Sequence, residues 1–141
     1  MKNASIRIIL VDDHKKVRDS WNIFLENDPR FRVVSICANG QEAIEMAQEL
    51  VPDIMLIDLN MRPMNGFTVT ERIVRIIPSI KIIGISVYSQ PKYAVKLMEL
   101  GARGFLTKTS SLEEIKHGIM EVDKGEFYIC EEIKRHMPPL D

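Results

Sequence analysis

The chain has 141 residues, with 19 Lys and Arg against 20 Asp and Glu and a formal net charge of −1. That length suits one domain with an ordinary buried core. Near-neutral charge, with no basic run longer than Lys15-Lys16, argues against nucleic-acid binding by this chain alone. No apolar stretch approaches the ~20 residues of a membrane span, and the opening Met-Lys-Asn-Ala-Ser has no signal-peptide core. Together these predict a cytoplasmic protein with no membrane contact. Cys37 and Cys130 share no metal or redox spacing and are expected to be reduced and packed.

Apolar runs and helical patterns alternate five times, which predicts a parallel sheet covered on both faces. The strands are predicted over 6–11, 32–37, 53–58, 80–86 and 104–107. The first helix is predicted from about Lys15 to Glu26, with Val17, Trp21 and Phe24 on one face. The second follows Asn39, a suitable N-cap with Glu42 three residues on. The third follows Gly66, turns Val69, Ile73, Ile76 and Ile77 inward, and is stopped by Pro78. The fourth opens near Pro91 and ends at Gly101. The fifth starts at the capping box Ser111-Leu112-Glu113-Glu114, and Leu112, Ile115, Ile119 and Val122 recur at helical spacing. Residues 131–136 allow one more helical turn, and Pro138-Pro139 reads as the start of a linker.

The strand ends carry the chemistry. Asp12 and Asp13 follow the first strand, Asp58 ends the third, Ser86 ends the fourth and Lys108 follows the fifth. In an open α/β sheet that edge is where ligands bind. Clustered carboxylates repel, and a hard divalent cation with oxygen ligands, usually Mg²⁺, relieves them. A nucleophilic carboxylate, a metal, a hydroxyl and an amine are what phosphoryl transfer to a side chain needs. Each has a plainer reading. Asp13 suits a helix cap, Ser86 a turn, and a lysine at a strand end is usually just solvated. The set, rather than any member, makes the argument.

The strings Val11-Asp12-Asp13-His14, Asp58-Leu59-Asn60-Met61 with Gly66 beyond it, Ser86, and Gly101-Ala102-Arg103-Gly104-Phe105-Leu106-Thr107-Lys108 resemble the receiver domain of two-component response regulators. The flavour is NarL/FixJ-type, and the resemblance covers about residues 5 to 130. It implies a doubly wound, five-stranded, flavodoxin-like α/β fold of order 2-1-3-4-5 with five helices, occupying residues 1–130, with 131–141 a tail or linker to a missing output domain. It implies that Asp58 accepts a phosphoryl group from a sensor histidine kinase. Asp13 and Asp58 would bind Mg²⁺ directly, Asp12 through water, and Asn60 through its backbone carbonyl. Lys108 and Ser86 would hold the phosphoryl oxygens, and Ser86 and Phe105 would form the switch. The resemblance further implies a switch rather than a turnover enzyme, a DNA-binding output outside this chain, and homodimerisation on phosphorylation.

Four positions depart from the family pattern: Arg62-Pro63 after Met61, Val87 after Ser86, Phe105 for the commoner Tyr, and Thr109 where Pro is frequent. The isomer of the Lys108–Thr109 bond is left open. Val87, Tyr88 and Asn60 flank the site and are expected to control access to the phosphoryl group. Phe105, with no hydroxyl to anchor it, is expected to sample inward and outward positions. His14 is read as a helix-mouth neighbour rather than a ligand, and His117 and His136 as residues without a useful partner. Two rivals remain: a phosphatase resembling haloacid-dehalogenase-like hydrolases, disfavoured by Asn60 in place of a second Asp, and a nucleotide-binding module, disfavoured by the lack of any glycine-rich phosphate loop.

Overall fold

The computed structural model describes residues 5–137. The opening residues, Met1 to Ala4, and the expected Pro138-Pro139 linker lie outside them. Six strands form one sheet: β1 (Ile6–Val11), β2 (Phe31–Cys37), β3 (Ile54–Asp58), β4 (Lys81–Ser86), β5 (Gly104–Thr107) and β6 (Tyr128–Ile129). Six helices connect and follow them: α1 (Lys15–Glu26), α2 (Gly40–Leu50), α3 (Gly66–Ile76), α4 (Pro91–Glu99), α5 (Leu112–Asp123) and α6 (Glu131–Lys134). Every strand pair is parallel, and the order is β2-β1-β3-β4-β5-β6.

The central strands are nearly unbroken Ile, Leu, Val and Met because both faces are covered; every residue of β3 is buried. β2 lies at the edge and is only partly buried, and a one-residue irregularity opposite Ile8 and Ile9 shifts its register. Helix starts follow the expected caps. The Asn39 side chain accepts from the Glu42 N–H, and Ser111 from that of Glu114. Pro91 sits in the first turn of α4, and Gly101, at φ +105°, takes the left-handed position after it. A cap the sequence reading passed over, Asn65, accepts from the Thr68 N–H and starts α3. Gly66 is then required, because a Cβ there would meet the Asp58 carbonyl oxygen at 2.6 Å. The close approach keeps α3 against the end of β3.

Three expectations are corrected. The sheet has a sixth strand: the Tyr128 N–H donates to the Arg103 carbonyl and the Cys130 N–H to that of Phe105. A two-residue strand has no periodicity to read. The packed body also runs past residue 130, since Ile133 of α6 is fully buried. Ile76 faces outward, at 50% exposure. In α3 the inner row runs Val69, Ile73, Ile77, so the i, i+4 row wins over the i, i+3 neighbour. In α1, Val17, Trp21 and Phe24 share one face as expected and line one groove, while Leu25 is the buried position. Cys37 and Cys130 are both free and buried, and burial pushes the Cys37 thiol up to about 11.

Candidate functional site

The C-terminal ends of β1, β3, β4 and β5 bring Asp12, Asp13, Asp58, Ser86 and Lys108 to one edge of the sheet. Asp12, Asp58 and Ser86 are buried, and Lys108 is mostly so. Ligand oxygens of the three aspartates and a ring nitrogen of His14 all lie within 4.8 Å of one another. Lys108 reaches in from the far side, its Nζ 3.1 Å from Asp12 Oδ2 and 3.6 Å from Asp58 Oδ2. Its own N–H donates to the Ser86 carbonyl, which fixes the β5 exit against the β4 exit.

Asp58 is held asymmetrically. Oδ1 accepts the Asn60 N–H at 3.0 Å. Oδ2 is buried and accepts no hydrogen bond, and the same holds for Asp13 Oδ1. Burial pushes the Asp58 carboxyl above its ordinary range. The Asn60 N–H opposes that shift, the charges of Asp12 and Asp13 add to it, and Lys108 pulls the other way. Three carboxylates drawn this close, with the Asp13 Oδ1 accepting no hydrogen bond, form a hard-oxygen set, so the residues present fit a divalent cation such as Mg²⁺.

The loops above the site are tied together by Asn60, whose side-chain oxygen accepts the Val87 N–H at 3.0 Å. Ser86 Oγ accepts the Tyr88 N–H at 2.9 Å, so its own proton remains free to be donated. Val87 and Tyr88 are exposed beside the opening, and Tyr88 stacks on Tyr93 of α4, ring centroids 5.0 Å apart. Phe105 has its ring fully buried, the inward of the two positions expected. Arg62–Pro63 is the one cis peptide bond among the described residues, so Lys108–Thr109 is trans.

Some residues behave otherwise than their neighbours in sequence suggest. Asp13 is not the cap of α1: His14 holds that position, and Asp12 Oδ1 accepts its N–H. The His14 ring, though largely exposed, places Nδ1 3.0 Å from Asp13 and 3.3 Å from Asp12. His117 does find a partner, standing edge-on to Tyr128 at 5.4 Å. Sequence reasoning missed Arg18, whose guanidinium donates to the Asp12 carbonyl, and Glu132, whose carboxylate takes the hydroxyls of both Thr107 and Thr109. Arg18, on the turn of α1 just after the acids, could have been found from helix spacing. Glu132 had no sequence signal.

A family model, the response regulator receiver domain, matches residues 8–120. The chain belongs to that family. The LiaR transcriptional regulatory protein of Bacillus subtilis is 37% identical over 86% of this receiver and 57% of its own length. The response regulator GacA of Pseudomonas aeruginosa is 32% identical over 94% of the receiver and 62% of its own length. A crystal structure of a LuxR-family response regulator from Aurantimonas superposes with a TM-score of 0.90 at 29% identity, over 94% of this chain and 95% of that one. The receiver thus spans less than two thirds of the length of these curated relatives. Among its described residues no helix is long and apolar enough to cross a membrane.

Proposed function

We propose that the chain is a phosphorylation-activated switch in which Asp58 takes a phosphoryl group from a histidine kinase. The observation that carries this reading is the free, buried Oδ2 of Asp58, an uncommitted nucleophilic oxygen with Lys108 Nζ 3.6 Å away. Oδ2 attacks phosphorus, the donor imidazole leaves, and an acyl phosphate forms on Asp58. Lys108 then gives up part of its pairing with Asp12 to meet a phosphoryl oxygen, and the free Ser86 proton is donated to another. Asp12, Asp13, Asp58 and the Asn60 carbonyl would hold Mg²⁺, which when bound neutralises charge building on the phosphoryl oxygens. Asn60 has no proton-transfer role here, since a carboxamide neither gives up nor takes a proton near neutral pH; its oxygen instead joins two loops. That arrangement favours a long-lived switch over a turnover phosphatase.

Ser86 and Phe105 form the switch pair of this reading, and Asn60, Val87 and Tyr88 set access to the acyl phosphate. A groove of about 340 Å³ between α1 and α5, lined by Val17, Trp21, Phe24, Leu112, Ile115 and Lys108, opens beside the site. Its apolar lining and its closeness to Lys108 suit a helical partner presenting a phosphohistidine. A second copy of the chain is the other partner expected after modification. Location in the cytoplasm and control of transcription through a DNA-binding segment outside residues 5–137 complete the proposal; the longer LiaR and GacA support the latter.

Incubation with acetyl phosphate and Mg²⁺, followed by intact-mass measurement, tests the core of this reading. Wild type should gain one phosphoryl group, chelation should abolish it, and Asp58→Asn should gain none. An undiminished adduct on the Asn variant would refute Asp58 as the acceptor.

A further inference from the structure

The turn that presents Lys108 is held from outside by a residue of the last helix. Thr107 to Ser110 form a tight turn, closed by the Ser110 N–H donating to the Thr107 carbonyl at 3.0 Å, with Lys108 and Thr109 at its centre. The residues on either side of Lys108 both carry hydroxyls, and both donate to one oxygen, Oε1 of Glu132, at 2.8 Å from Thr107 and 2.7 Å from Thr109. Glu132 lies on α6, twelve positions beyond the segment 8–120 that matches the family model. An acidic residue in the first turn of a helix ordinarily serves that helix's own N–H groups. Here the carboxylate leaves its helix and spans to the turn instead. The two hydroxyls hold it below the ordinary carboxylate range, so it stays an acceptor at neutral pH.

α6 is itself anchored. Ile133, next to Glu132, is buried in the core, and the Glu131 N–H donates to Glu114 of α5, which also accepts the Tyr128 hydroxyl. Glu132 therefore transmits a fixed position rather than a floating one. Lys108 has to move from its pairing with Asp12 toward an incoming phosphoryl group, and the backbone from which it swings is clamped on both sides by that one carboxylate.

We propose that Glu132 is a positioning residue for Lys108, clamping the β5–α5 turn through Thr107 and Thr109 and so coupling the phosphoacceptor site to the C-terminal helix. This rests on the reading of Asp58 as phosphoacceptor. Coupling of this kind is reciprocal: occupancy of the site must alter α6 as α6 alters the site.

The test compares acetyl phosphate phosphorylation rates of wild type, Glu132→Ala, Glu132→Gln and Thr109→Ala, by intact mass. Mg²⁺ affinity is read in parallel from Trp21, the one tryptophan, which lines a small cavity with Asp12 and Asp58. Glu132→Ala should slow the reaction about tenfold, short of the ~100-fold that a misplacement of about 1 Å can cost, because Lys108 is still present and loses only its clamp. Its Mg²⁺ affinity should match wild type, because the three aspartates are untouched. Glu132→Gln should restore the rate, since an amide oxygen also has two lone pairs for two hydroxyls. Thr109→Ala, at an exposed site where folding is not at issue, should fall between. Hydrogen exchange of residues 131–137 should change when beryllofluoride occupies the site. A wild-type rate in both Glu132→Ala and Thr109→Ala, or a Gln variant as slow as the Ala one, would overturn the proposal. Absence of any adduct on wild type would instead overturn the phosphoacceptor reading and this inference with it.

Discussion

Burial, and the charges of Asp12 and Asp13 beside it, disfavour the ionised form of Asp58 more than the Asn60 N–H and Lys108 favour it, and its Oδ2 accepts no hydrogen bond. Its folded pKa is raised, so its contribution is most favourable below the ordinary carboxylate value and is lost as pH rises through the raised one. Asp58→Asn should therefore melt higher than wild type in metal-free buffer at pH 7, with about 3 °C of gain for each kcal/mol recovered. Calorimetry should show the gap narrowing as pH falls through the raised value and Asp58 takes up its proton, and narrowing at neutral pH on adding Mg²⁺, which stabilises only the carboxylate form. An Asn variant no more stable than wild type would mean that Lys108 already balances the cluster. Residues of this kind were legible in the sequence because each ends an apolar run and points to the same edge. Glu132 was not, because its role exists only through two hydroxyls that lie far from it in sequence and arrive by folding. The same is true of Asn60, whose backbone was foreseen at the site while its side chain's tie to Val87 was not.

Individual elements show where charge, rather than periodicity, fixes the packing. Asp28, in the corner between α1 and β2, receives the Arg30 N–H, a two-pronged guanidinium contact at 3.0 and 2.7 Å, and Lys116 of α5 at 3.2 Å. The Arg30 guanidinium, above all, holds this carboxyl well below the usual range. A lowered carboxylate pKa stabilises the fold above the ordinary value and loses that effect as pH falls through the lowered one. Arg30 is half exposed, and solvent screening limits the gain. Asp28→Asn should cost about 1 kcal/mol at pH 7 in urea titrations, and the deficit should fade toward pH 2. A deficit unchanged by acid would mean that the corner is held by shape alone. The five long strands and five long helices were legible because buried runs, capping residues and Pro or Gly punctuation agreed at each boundary. The error at Ile76 arose where two adjacent apolar residues compete for one face, which a pattern of types cannot decide.

For the whole molecule, a net charge of −1 leaves little attraction for a polyanion, and the described helices pack on the sheet or, for α6, at its end. The chain alone should bind duplex DNA no more tightly than non-specific proteins do, with Kd weaker than ~1 μM at about 150 mM salt. Fluorescence anisotropy with a labelled duplex would check this, and nanomolar, sequence-selective binding would contradict it. The sixth strand has a bearing on where the molecule tolerates being cut. β6 engages the Arg103 and Phe105 carbonyls along the outer side of β5, and Ile133 seals the core beside it. A fragment halted at the last family-matched position, residue 120, would shed that cover and leave β5 as a bare, apolar rim. Rims of that sort recruit strands from other molecules. The final dozen described residues thus act as a guard against self-templating, a duty separate from any signal they relay.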